Sequence, residues 1–206
     1  MDQPRRYLAL LLALAILTGC LYRGPKARPF DSPVDRRLIE GVPFYPDDSY
    51  LCGPASLAAV LTFQGRPTTV AEASTPLIRV NLRGSLAPDL AIWARDLGYK
   101  ARFWAAKPEE IVLLIQKNKP VILQIDSGLA LKTGHFVVAL GYGPEGLVVN
   151  SATVQQLIIP WAEFLTRWLK FQNLALLVES PTEPIATTPE PLAPPAPVLT
   201  LDKPVT

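Results

Sequence analysis

Histidine occurs once in the 206 residues, methionine once and cysteine twice. A metal centre built from nitrogen and sulfur ligands needs three or four such groups at fixed spacing, so this inventory leaves no room for one, and neither an HExxH nor a paired CxxC is present. No resident metal or other cofactor is expected. Glycine-rich phosphate loops are missing too. Twenty Lys and Arg stand against 18 Asp and Glu, a net charge of +2 without a basic run or a basic stripe interleaved with aromatics, which argues against a nucleic-acid partner. Apolar residues nonetheless make up 49% of the chain and the mean hydropathy is +0.22, enough to bury one core.

The two ends do not share that core-forming pattern. Arg5 and Arg6 precede an apolar stretch from Tyr7 to Ile16 that is too short to span a bilayer, the layout of an export signal over residues 1–19. It runs into Leu17-Thr18-Gly19-Cys20, which resembles the lipobox of bacterial lipoproteins. That resemblance implies cleavage before Cys20, diacylation of its thiol and anchoring of the protein in the membrane. With Leu21 rather than Asp after the anchor, the implied destination is the outer membrane, facing the periplasm. Residues 20–40 then read as the lipidated cysteine and a spacer mixing Pro, Gly and both charges. Eight prolines from Pro181 to the end make residues 181–206 a polyproline-prone tail, a suitable tether for an envelope partner. Between these ends, residues 41–180 form the expected domain.

If Cys20 carries lipid, Cys52 is a lone thiol in an oxidising compartment. It opens CGPASLAAVLTFQ, whose apolar residues fall at helical spacing, with Pro54 in the first turn and Gly65 as a stop. Further helices are expected after Thr69 through its capping-box spacing with Glu72, after Ser85 as a cap and running to Gly98, from Lys107 to Lys117, and from Trp161 to Trp168. The second half turns to short Val-, Ile- and Leu-rich runs: 121–125, 136–140, 147–149, 156–159 and 174–178. Residues 141–146 read as the turn between two of them. The expectation is an α+β fold with N-terminal helices packed on an antiparallel sheet. The four tryptophans are read as core or rim aromatics.

A nucleophilic thiol needs a base, and His135, at the start of HFVVALGY, is the sole imidazole. The helix start at Cys52 is expected to favour the thiolate and to supply oxyanion donors. Taken together, FYPDDSYLCGPASLAAVL, GHFVVALGY 83 positions after the cysteine and VVNSA some 15 beyond the histidine resemble the C39 and C39-like peptidases, cysteine enzymes of papain-like fold. The resemblance implies Cys52 as nucleophile, His135 as general base and acid, and a third residue on the next strand orienting the imidazole: Asn150, or Ser151 if the register differs by one. It also implies a peptide or protein substrate. Where the family has a Gln donor five or six residues before the cysteine, this chain has Pro46-Asp47, and an ionised carboxylate cannot donate. Asp47 is therefore either an altered oxyanion-region residue or a loop-ordering one. Two other functions fit the same residues: a weakly active or inactive peptide-binding scaffold, and acyl transfer to an amine in place of water.

Overall fold

The computed structural model describes residues 30–47, 49–128 and 134–181. The signal segment, Cys20 and the tail from residue 182 lie outside the described residues.

Seven strands form one sheet, all pairs antiparallel, in the order β2-β7-β3-β4-β5-β6, with β1 beside β4. The elements in chain order are β1 (Arg37–Leu38), α1 (Cys52–Phe63), α2 (Val70–Leu77), α3 (Ala87–Asp96), β2 (Lys100–Ala105), α4 (Pro108–Gln116), β3 (Val121–Asp126), β4 (Gly134–Gly143), β5 (Gly146–Ser151), β6 (Val154–Pro160), α5 (Trp161–Leu169) and β7 (Leu174–Glu179). A short 3-10 turn, Val80–Leu82, separates α2 from α3.

Helix α1 is buried from Gly53 through Leu61, so it is a central helix rather than an amphipathic surface one. Small residues on one side, Ala55, Ala58 and Ala59, let it lie close to β4, while Leu57, Val60 and Leu61 fill the core. It ends where Gly65 takes a left-handed conformation (φ 92°) that a Cβ would disfavour. Thr69 caps α2 as its spacing implies, accepting from the Glu72 amide at 3.1 Å. Ser85 does not cap α3. The N-cap is Leu86, without a side-chain bond, and Ser85 is instead pressed against Gly53 of α1.

Three further expectations are corrected. Lys100–Ala105 is a strand, not part of a helical half; its pairing with β7 at the sheet edge, with Arg102 stacked 3.8 Å over the Trp104 ring, stabilises a mostly exposed segment. Residues 141–143 continue β4, so only Pro144 and Glu145 make the turn to β5. Residues 30–40 are not all spacer. Phe30 packs 4.8 Å from the Trp161 ring, Ile39 is buried, and its amide donates to Leu140 O at 2.7 Å. Leu140 is an extra residue in β4 opposite β5, and this bulge turns its carbonyl toward the incoming β1 segment.

The second core centre lies under α5, where Phe164 and Trp168 stack at 5.0 Å and Trp168 donates to Leu174 O at 2.9 Å. A buried indole finds a partner for its N–H in this way. Among the described residues no helix is long and apolar enough to cross a membrane.

Candidate active site

Cys52 is the first residue of α1, and the backbone N–H groups of Phe136, Gly53 and Cys52 itself lie on the side of its sulfur, where they favour the thiolate. Phe136 directly follows His135 in β4, so the fold brings the thiol to the strand end that carries the only imidazole. Packing there is tight. A Cβ on Gly53 would lie 2.8 Å from Ser85 Cβ and 3.4 Å from Phe136 Cδ2, so glycine is what lets α1 approach the sheet at its N-terminus.

The helix start was expected to favour the thiolate. The three N–H groups do pull the thiol pKa down, but burial pushes it up more strongly and the Asp47 charge adds to the rise, leaving it above its ordinary value. His135 moves the other way. Burial, helped by the positive charge of Arg167, lowers the imidazole pKa, and Asp47 opposes that shift. The thiol and the imidazole thus both rest uncharged near neutral pH, and Asp47 is felt by both.

The imidazole's side-chain partner is Ser151, whose Oγ is 3.1 Å from His135 Nε2. Asn150, the first choice for that role from sequence, is turned elsewhere. Strand parity explains the difference: Asn150 lies opposite Val138, so the two point to one face of the sheet, and Ser151 points to the other. Asn150 Oδ1 accepts from the Gln156 amide at 3.0 Å. That amide is freed from the ladder by a bulge in which Gln155 and Gln156 stand opposite Asn150, with Gln156 at φ 53°.

Asp47 orders its own loop, its Oδ1 accepting from Ser49 N at 3.0 Å and Ser49 Oγ at 2.6 Å. Its amide donates to Ala152 O at 3.0 Å, which ties this loop to the turn after β5. A narrow cleft results, with Asp47, Cys52, Phe136, Asn150 and Ser151 on its walls. Arg167, which faces His135 electrostatically, is fixed by bonds to Asp126 O at 2.8 Å and Glu163 at 3.0 Å, and Lys170 pairs with Asp126 beside it. No cluster of three potential metal ligands occurs among the described residues.

A family model, the Peptidase_C39 like family, matches residues 39–176, which is most of the chain. The chain belongs to the Peptidase_C39 like family. Solved relatives agree in fold. A double glycine motif protease from an AMS/PCAT transporter, determined with a leader peptide, aligns with a TM-score of 0.57 at 24% identity over 74% of this chain and 100% of that one. A C39-like peptidase from Bacillus anthracis aligns with a TM-score of 0.60 at 16% identity, covering 72% and 100%. The peptidase domain of Streptococcus ComA, a bifunctional ABC transporter of a quorum-sensing pathway, aligns at 0.54 and 21%, covering 70% and 98%. No curated protein sequence matches. The alignments span nearly the whole of each solved domain.

The sequence named Cys52, His135 and the Asn150–Ser151 pair. What it missed is the role of Gly53, visible only as the second letter of CGPA, and the Arg167–Asp126–Lys170 cluster, whose members are far apart in the chain.

Proposed function

We propose that this protein is a cysteine peptidase in which Cys52 attacks a peptide carbonyl and His135 carries the proton. One observation carries the reading: Cys52, at the N-terminus of a buried helix, lines one cleft with Phe136, the neighbour of the chain's only histidine, and with Ser151, the partner of that histidine's ring. With Ser151 accepting from Nε2–H, His135 Nδ1 is the nitrogen free to take the thiol proton. Because the resting pair is neutral, the thiolate forms as substrate binds. The carbonyl π electrons move to oxygen as the S–C bond forms, and His135 returns its proton to the leaving amine. The thioester is then hydrolysed.

The relative determined with a leader peptide supports a peptide as the substrate class here. We further propose that Cys20 is lipidated and anchors the enzyme in the bacterial envelope at the outer membrane, with the Pro-rich tail tethering an envelope partner. Cys20→Ala should then release the protein from the membrane fraction, and continued tight association would refute the anchor.

For the chemistry, purified protein lacking the signal segment and Cys20 is treated with iodoacetamide across pH 5 to 9.5. Alkylation at Cys52 that falls sharply in His135→Ala supports the dyad. A native protein that stays unlabelled, or one labelled equally well without His135, refutes it. The second of these outcomes favours the scaffold reading, for which the raised thiol pKa and the Asp47 charge are the motivating observations.

A further inference from the structure

The catalytic cleft and the two chain exits lie at opposite ends of the domain. Cys52 opens α1, His135 and Phe136 stand at the start of β4, and Ser151 ends β5. The segment that leads in from Cys20 is fastened at the other end of β4. Phe30 packs on Trp161, whose indole N–H donates to Gly143 O at 2.9 Å. The Tyr142 hydroxyl donates to Asp35 Oδ2 at 3.0 Å, Arg36 pairs with Glu145, and the Ile39 amide meets Leu140 O. Leu140, Tyr142 and Gly143 are in the last turns of the pleat in β4, and Glu145 is in the turn after it. From His135 to Gly143 the strand runs roughly 25 Å at about 3.3 Å per residue. The C-terminal exit is at that far end too. Ser180 Oγ donates to Gln64 O at 3.1 Å, and Gln64 follows the last residue of α1, a helix that starts at Cys52. Its 12 residues separate the two by about 18 Å.

A lipid on Cys20 turns this layout into an orientation. Ten residue steps join Cys20 to Phe30, and a chain of that length spans at most about 35 Å when fully extended. A cleft turned to the bilayer requires Phe30 to stand roughly 25 Å above it, more than two thirds of that limit. A cleft turned outward requires no extension at all. Far fewer tether conformations satisfy the first arrangement than the second, so chain entropy favours the outward cleft.

We propose that the Cys52 cleft faces away from the bilayer, and that the substrates are peptide segments standing clear of the lipid surface rather than bonds held at it. The inference rests on the anchor and peptidase readings above. What selects the substrate is then its height above the membrane as well as its sequence. The strap from Phe30 to Ile39 sets that height, because its contacts fix where the tether meets the domain.

The test uses the lipidated full chain in phospholipid vesicles and an alkylating probe on the bilayer itself. The probe is iodoacetyl-phosphatidylethanolamine, with the electrophile either on the headgroup or beyond a Gly-Ser linker of about twenty residues. Rates are normalised to free iodoacetamide, and alkylation is read from the protein mass. The headgroup probe should alkylate Cys52 roughly tenfold or more slowly than the linked probe, because a tether that cannot span two sites gives almost no effective concentration. Val34, 94% exposed in the strap, supplies the reference position. Its thiol, from Val34→Cys in a Cys52→Ser chain, should react with the two probes within about threefold of each other. Lengthening the 21–29 spacer by about twenty Gly-Ser residues should let the domain turn and raise the headgroup-probe rate at Cys52 severalfold. Equal rates of the two probes at Cys52 overturn the inference, as does the same discrimination at position 34. A slow headgroup probe that the longer spacer does not help also overturns it, since steric exclusion from the cleft then explains the difference. A chain that does not sediment with the vesicles overturns the anchor instead, and a Cys52 untouched by free iodoacetamide overturns the peptidase reading.

Discussion

Gly53→Ala is a one-carbon perturbation whose effect on the site follows from the geometry. The new Cβ would stand 2.8 Å from Ser85 Cβ, 2.9 Å from Ser85 Oγ and 3.4 Å from Phe136 Cδ2. Carbon atoms rest at about 3.5 to 4.0 Å, so roughly 1 Å must be found at the Ser85 contact, and neither neighbour is the far end of a flexible chain. Overpacking of this kind costs about 1 to 3 kcal/mol. The helix start and the 85–86 loop separate, and Cys52 moves from the Phe136 amide that positions it. A displacement near 1 Å in a reacting group lowers turnover about a hundredfold. Urea unfolding and the rate of p-nitrophenyl acetate acylation measure the two effects. Ser85→Gly in the same chain removes both atoms of the closest contact and should restore most of the stability and rate, with the Phe136 contact left. Native stability and acylation in Gly53→Ala, or no recovery in the double variant, would refute the close-approach argument.

Asp47→Asn removes a negative charge that raises both site pKa values, so the alkylation limb of Cys52, pushed up chiefly by burial, should move to lower pH. In the same variant the acid limb of kcat/KM, already below the ordinary 6.5 of an imidazole because His135 is buried, should move further down, since Asp47 favours the protonated ring. Limbs that stay in place would show that Asp47 does not act on the dyad. Ser151→Ala should lower kcat/KM roughly tenfold to a hundredfold by freeing the imidazole, a part of what a positioned base contributes. Ser151→Asp should restore it with the acid limb shifted upward, because a carboxylate at Nε2 stabilises the imidazolium; an unshifted limb would contradict the contact. Trp168→Ala should cost about 3 to 5 kcal/mol in urea unfolding, since the side chain is fully buried, stacked on Phe164 and bonded to Leu174 O; a loss under 1 kcal/mol would mean that the packing under α5 is not part of the cooperative core.

Much of the architecture is legible in local pattern. The α1 boundaries follow from Pro54, the apolar spacing and Gly65, and the five strands β3 to β7 follow from Val-, Ile- and Leu-rich runs between breakers. Two elements are not legible for physical reasons. The exposed edge strand β2 lacks the apolar density of a buried one, and its pairing with β7 joins residues 69 to 79 positions apart. The two-residue β1 is held by a bulge at Leu140 that no local signal announces. In the site, the choice between Asn150 and Ser151 turns on strand parity, where a shift of one residue exchanges the faces.

The sequence by itself narrowed the proposed chemistry: with one imidazole in the chain and Cys52 as the only thiol in the domain, each at the start of an element, only one cysteine–histidine pair is on offer. The tertiary structure decided the state in which that dyad rests, because burial and the Asp47 charge depend on which distant segments close over it. It also decided which neighbour serves which role. Register across β4, β5 and β6 gives Ser151 to the imidazole and turns Asn150 toward the cleft, and register is a property of paired strands that neither strand carries alone.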